Sequence, residues 1–124
     1  MKLSFQKLIA ALFTTVSLAL VPALASAHGR LESAEPAANA SVDAAPSMLR
    51  LTFNEDPEPS FSTIKVTDAN GAVVDNAKAK LDPSDKNVLT LAVPKLSAGT
   101  YAVQWAVMTG DSHKTKGTYK FSVK

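Results

Sequence analysis

Cysteine is absent from all 124 residues. Without it the chain cannot be a disulfide scaffold, a zinc ribbon or a thiol enzyme, nor a blue-copper electron carrier, whose site requires a thiolate. Histidine is nearly as scarce, with only His28 and His113. No segment carries the 3.6-residue apolar period of an amphipathic helix, and there is no internal repeat or low-complexity stretch. The longest apolar run, Leu8 to Leu20, is broken by Thr14, Thr15 and Ser17 and is short for a membrane span.

That run has another use. Lys2 and Lys7 form a positive leader, the apolar run follows, and Ala25-Ser26-Ala27 has the small-x-small form of a signal-peptidase site. Residues 1–27 are therefore expected to be a removable secretory signal, and residues 28–124 a single mature domain beginning at His28. Export by a bacterial route places that domain in the periplasm, with no stable membrane insertion after cleavage. Removing the signal also changes the charge. The full chain has 13 Lys+Arg and 11 Asp+Glu, formally +2. Two of the lysines leave with the signal, so the mature part is balanced and has no electrostatic reason to bind nucleic acid or an anionic membrane.

The mature part reads as short strands. Met48 to Asn54 alternates, with Leu49, Leu51 and Phe53 on one face and Arg50 and Thr52 on the other. Ser60 to Thr67 resumes the pattern through Ile64 and Val66, and Asp68-Ala69-Asn70-Gly71 has hairpin-turn chemistry. Ala72 to Val74 and Ala77 to Leu81 are weaker candidates. Asn87 to Val93, Tyr101 to Met108 and Gly117 to Val123 alternate again. Arg30 to Ala34 is short and mixed, and Glu35 to Pro46 reads as a long loop or irregular crossover. The expected fold is all-β, about seven antiparallel strands in a Greek-key sandwich or barrel, with Trp105 as a large core residue between the sheets.

Chemistry concentrates in Thr109-Gly110-Asp111-Ser112-His113-Lys114, between the last two strands. Asp111 and His113 are two apart, so in extended backbone both leave on one face. Asp-x-His alone is a weak motif. Signal cleavage would add more, because the free amine and imidazole Nδ1 of His28 can close a six-membered chelate ring. With His113 and Asp111 this makes three nitrogens and one oxygen, a set suited to square-planar or tetragonal Cu(II). Zn(II) could use the same atoms but prefers a tetrahedral arrangement and sits lower in the affinity order.

These residues carry a family resemblance. His28-Gly29-Arg30-Leu31, Pro36-Ala37 and Leu51-Thr52-Phe53-Asn54-Glu55 resemble the start of the CopC family of periplasmic copper-binding proteins. Gly99-Thr100-Tyr101, Trp105, Asp111-Ser112-His113, Gly117 and Tyr119-Lys120-Phe121-Ser122-Val123 resemble its end. The resemblance implies a cupredoxin-like or immunoglobulin-like barrel binding one Cu(II) through His28, Asp111 and His113. Glu55 falls at a family position near the copper, as a candidate outer partner of a ligand. Some members also carry a Met-rich loop for Cu(I). The mature part here keeps only Met48 and Met108, far apart, so a second site of that kind is not expected.

The reading that follows is a non-enzymatic periplasmic protein that buffers, carries or detoxifies copper, with an inner-membrane copper transporter as a candidate partner. A copper monooxygenase using an N-terminal His is the alternative. It would need exposed aromatics on a flat face, whereas the tyrosines and Trp105 alternate inward. A metal-free structural sandwich is the third reading, and it predicts that chelators leave stability unchanged.

Overall fold

The computed structural model describes residues 29–124; His28 and the expected signal, 1–27, lie outside the described residues. Eight strands form among them: β1 (Leu31–Glu35), β2 (Ser41–Val42), β3 (Met48–Phe53), β4 (Thr63–Thr67), β5 (Lys80–Asp82), β6 (Asp85–Ala92), β7 (Gly99–Met108) and β8 (Lys114–Val123). They make two four-stranded sheets, ordered β1-β3-β6-β5 and β2-β8-β7-β4. The chain changes sheet at every connection except the β5–β6 and β7–β8 hairpins. This is the expected all-β sandwich. Among the described residues no helix is long and apolar enough to cross a membrane.

Alternation builds the core. In β3, Leu49, Leu51 and Phe53 are fully buried while Arg50 and Thr52 are only half-buried. Ile64 and Val66 of β4, Leu89 and Leu91 of β6, Tyr101, Val103 and Val107 of β7, and Phe121 and Val123 of β8 complete one apolar cluster. Each large side chain removed from water in this way contributes roughly 1.5–3 kcal/mol before entropy is counted. The two ten-residue strands β7 and β8 pair without a break from Gly99↔Val123 to Met108↔Lys114, which fixes their turn at 109–113.

Several elements differ from the sequence reading. Within the segment expected to be irregular, β2 pairs with the end of β8, and it does so in parallel, Ser41↔Ser122 and Val42↔Val123. The candidate strand at Ala72 to Val74 reduces to one isolated bridge, Thr67↔Val73. Its turn is capped by Asp68, whose Oδ1 accepts from the N–H groups of Asn70 and Ala72, with Gly71 at φ +81°. β8 begins at Lys114 rather than Gly117, because its polar first residues are held by pairing with β7 rather than by burial.

Trp105 is half-buried, not central. Its ring meets Phe53 edge-on at 5.3 Å and 70°, and the centre is filled by Phe53, Phe121 and four leucines. A Cβ on Gly117, opposite Trp105 in the ladder, would come within 2.5 Å of the indole, so a side chain there would displace the ring.

Two tyrosines share the inner face of the β7–β8 sheet. Tyr101 stacks on Phe121 at 5.7 Å and donates its hydroxyl to the carbonyl of Ser97 at 2.6 Å. The Tyr119 hydroxyl is buried without a hydrogen-bond partner among the described residues, and burial pushes its pKa well above the usual phenol range. On the outer face of the other sheet, Arg50 bonds Asp82 at 2.9 Å. That guanidinium, helped by the Ser84 N–H, holds the Asp82 carboxyl below its ordinary 3.8.

Candidate metal centre

Three segments converge at one end of the sandwich. β1 starts where β3 finishes, Leu31 opposite Phe53. The loop after β3 then runs beside the end of β7, through the Pro57↔Thr109 bridge and a Glu58 N–H bond to the Met108 carbonyl at 2.7 Å. The third segment is the β7–β8 turn.

The turn is built around Asp111. Thr109 N–H donates to the His113 carbonyl at 3.2 Å, and Ser112 N–H to the Thr109 carbonyl at 2.9 Å. Ser112 takes φ +66°, a left-handed conformation that is costly for a residue with a Cβ. Asp111 Oδ1 accepts from the Thr109 hydroxyl at 2.9 Å and from the His113 N–H at 3.1 Å. Its Oδ2 lies 3.1 Å from His113 Nδ1. Asp111 and His113 are therefore brought together, but by a turn rather than by extended backbone.

Protonation follows from this geometry. An ionised carboxylate only accepts, so the Nδ1 facing Asp111 carries a hydrogen, and in the neutral ring Nε2 then holds the lone pair. A carboxylate that fixes the tautomer of an imidazole is a recurrent arrangement behind metal-binding histidines. Both side chains are accessible, His113 at 61% and Asp111 at 40% exposure, so a metal ion can reach them.

His28, the other expected nitrogen donor, lies outside the described residues, but the residue after it is well defined. Gly29 is buried. Its carbonyl accepts from the Thr115 hydroxyl at 2.6 Å. An ideal Cβ on Gly29 would stand 2.7 Å from Thr109 Cγ2 and 3.4 Å from Val107 Cγ2. Arg30 is clamped from both sides by Asn54, whose side-chain oxygen accepts the Arg30 N–H and whose own N–H donates to the Arg30 carbonyl at 3.0 Å. The segment next to His28 is thus packed on the turn that carries Asp111 and His113.

Glu55 is half-buried and follows Asn54 in the loop bridged to Thr109. Among the described residues no group of three or more His, Cys, Asp or Glu side chains is placed to hold a metal ion. The described donors amount to one carboxylate and one imidazole, with no thiolate, an oxygen-and-nitrogen set that suits Cu(II) better than Cu(I).

Sequence reasoning assigns no role to Asn54, Thr109 or Thr115. They act through side-chain bonds to backbone or carboxylate, two of which span 24 and 86 residues. The only local signal was Thr109, placed two residues before Asp111.

An oxygen-and-nitrogen donor pair thus sits at one end of a two-sheet sandwich, with Gly29 and Arg30 tied beside it. Residues 31–124 match the CopC domain, and the chain belongs to the CopC family. YobA of Escherichia coli K12 is 42% identical over 99 residues, covering 79% of this chain and 80% of that protein. Copper resistance protein C of Xanthomonas campestris pv. juglandis is 34% identical over 122 residues, covering 94% and 95%. The solved CopC from Methylosinus trichosporium OB3b superposes with a TM-score of 0.74 at 35% identity, covering 78% of this chain and 94% of that one.

Proposed function

We propose that this chain is an exported Cu(II)-binding protein that buffers or carries copper in the periplasm or protects against it. Cleavage after Ala27 exposes the amine of His28, and one copper is held by that amine, the His28 imidazole, Asp111 and His113. The observation that carries the reading is the packing of Gly29 against Thr109, on the same turn that pairs Asp111 with His113, and its bond to Thr115 at the start of β8. The family membership and the copper resistance proteins among its relatives support it. Glu55 serves as an outer partner that orients a ligand from the neighbouring loop. A site filled by four protein donors holds copper rather than activating oxygen on it, so the role is binding and not catalysis. An inner-membrane copper transporter is the partner to which such a carrier would deliver.

The test is a competitive Cu(II) titration of protein beginning at His28, followed by the fluorescence of Trp105, beside a form with one alanine added ahead of His28. Tight one-to-one binding that weakens by about 100-fold or more in the extended form is expected, since the chelating amine is moved. Equal binding by both forms removes the amine from the site. Weak binding by both overturns the copper reading.

A further inference from the structure

Thr109 is the residue at which the two halves of this centre touch. It is 1% exposed, the most buried polar residue among those described. Its backbone is fixed on both sides, by the N–H bond to the His113 carbonyl, the bond its carbonyl accepts from Ser112, and the bridge to Pro57. Only χ1 remains, and a β-branched side chain is stiff about that bond. One rotamer thus sends Oγ1 to Asp111 Oδ1 at 2.9 Å and turns Cγ2 toward Gly29.

We propose that Thr109 is a positioning residue for copper capture: its hydroxyl aims the Asp111 carboxylate while its methyl seats the Gly29 backbone that carries His28. The inference rests on the copper reading above and adds a residue that contributes no donor atom to the metal.

The chemistry of each contact is specific. With Oδ1 occupied by the Thr109 hydroxyl and the His113 N–H, the carboxylate plane is set and Oδ2 is directed to His113 Nδ1. Loss of the hydroxyl removes a donor that comes from a buried side chain, leaving the carboxylate a wider range of orientations. The methyl works by contact. No Cβ fits on Gly29 because Cγ2 already occupies the space, so the early segment lies as close to the turn as a backbone can. A rotation about χ1 would break both contacts together.

Valine and serine separate the two roles. Thr109→Val keeps a methyl toward Gly29 and loses the hydroxyl; Thr109→Ser keeps the hydroxyl and loses the methyl. Both would be prepared starting at His28. Each would be assayed for Cu(II) affinity by competition, for the copper electron-paramagnetic-resonance spectrum, and for apo-protein melting temperature. The expected result for T109V is about tenfold weaker binding or more, with an altered spectrum, the size of effect seen when partners behind a metal ligand are removed. T109S should keep the wild-type spectrum and bind a few-fold more weakly. A T109V protein matching wild type in both affinity and spectrum overturns the proposal. If T109V does not fold, T109S decides, and wild-type affinity in that variant overturns the role of the methyl. A wild-type protein that fails to bind Cu(II) overturns the copper reading itself, which sets that failure apart from failure of the role given to Thr109.

Discussion

The two ends of the sandwich are closed by turns that use the same device to different ends. At one end Asp68 caps its turn, its Oδ1 accepting the N–H groups of Asn70 and Ala72. At the other, Asp111 Oδ1 accepts the N–H of the residue two ahead in the same way. There the likeness stops. The residue two ahead of Asp68 is Asn70, and the left-handed position is given to Gly71, the residue type that adopts it at least cost. The residue two ahead of Asp111 is His113, the left-handed position falls on Ser112, and a buried threonine hydroxyl holds the carboxylate from beneath. Asp68 stabilises a turn. Asp111 does that and also presents a carboxylate–imidazole pair, with a non-glycine residue held in a costly conformation beside it. Backbone strain of this kind gathers where a local shape serves function.

The comparison is sharpest when both aspartates are truncated. Asp111→Ala should lower Cu(II) affinity by about 100-fold, since it removes a proposed ligand that also orients His113. Asp68→Ala should leave affinity unchanged and cost about 1–2 kcal/mol of stability through two lost hydrogen bonds. Titration and thermal melts on the same two proteins check both halves. Equal copper affinity in the two variants would break the distinction between the turns.

The two tyrosines give a smaller contrast. Tyr101 ties the Asp68 end together through Ser97, whereas the Tyr119 hydroxyl is buried without a partner among the described residues. Tyr101→Phe should destabilise by about 1 kcal/mol, and Tyr119→Phe should stabilise by a similar amount because the uncompensated hydroxyl is gone. Opposite shifts in melting temperature of several degrees are expected for a domain of this size. Same-signed shifts would sink the claim.

The smallest effect lies away from both ends. Asp82 has a depressed pKa, so its ion pair adds stability above 3.8, and that contribution is lost as pH falls through the lower folded value. In Arg50→Met the carboxyl should titrate closer to 3.8, and the acid limb of the stability curve should flatten. Carboxyl NMR titration follows the first change and melts between pH 2 and pH 5 follow the second, about the range over which such a group titrates. Copper binding should not move.

Elements with one wet and one dry face were legible in the sequence. β3, β4 and β7 announce themselves through Leu49-x-Leu51-x-Phe53 and its counterparts, because burial alternates with the pleat; β6 shows the same apolar spacing in Leu89-x-Leu91, although Val88 to Leu91 are all buried. Elements held by pairing alone were not. β2 is two residues long, and Lys114 to Lys116 are strand only because Met108, Val107 and Ala106 lie opposite. Size and alternation both point Trp105 inward, but its position toward the end of the sheet leaves it only half-buried. In the candidate site, Asp111 and His113 were readable as chemistry. Asn54 and Thr115 were not, since their partners lie 24 and 86 residues away.

The two-residue strand β2 has a consequence for how copies of this protein coexist. A terminal strand of ten residues offers its neighbours a long row of open peptide groups, the usual seed of strand-to-strand aggregation. Here the segment around β2 occupies the last third of that row, with Asn39 bonded to Lys120, Ser122 to Ala40 and Lys124 to Val42. Nearer the turn, beyond the reach of β2, exposed Lys114 and Lys116 alternate along β8 and repel a second copy. Residues 29–124 hold as many Lys+Arg as Asp+Glu, so net charge does little to keep copies of them apart. At this edge, association with a second copy is opposed by a short covering strand and by two lysines rather than by net charge.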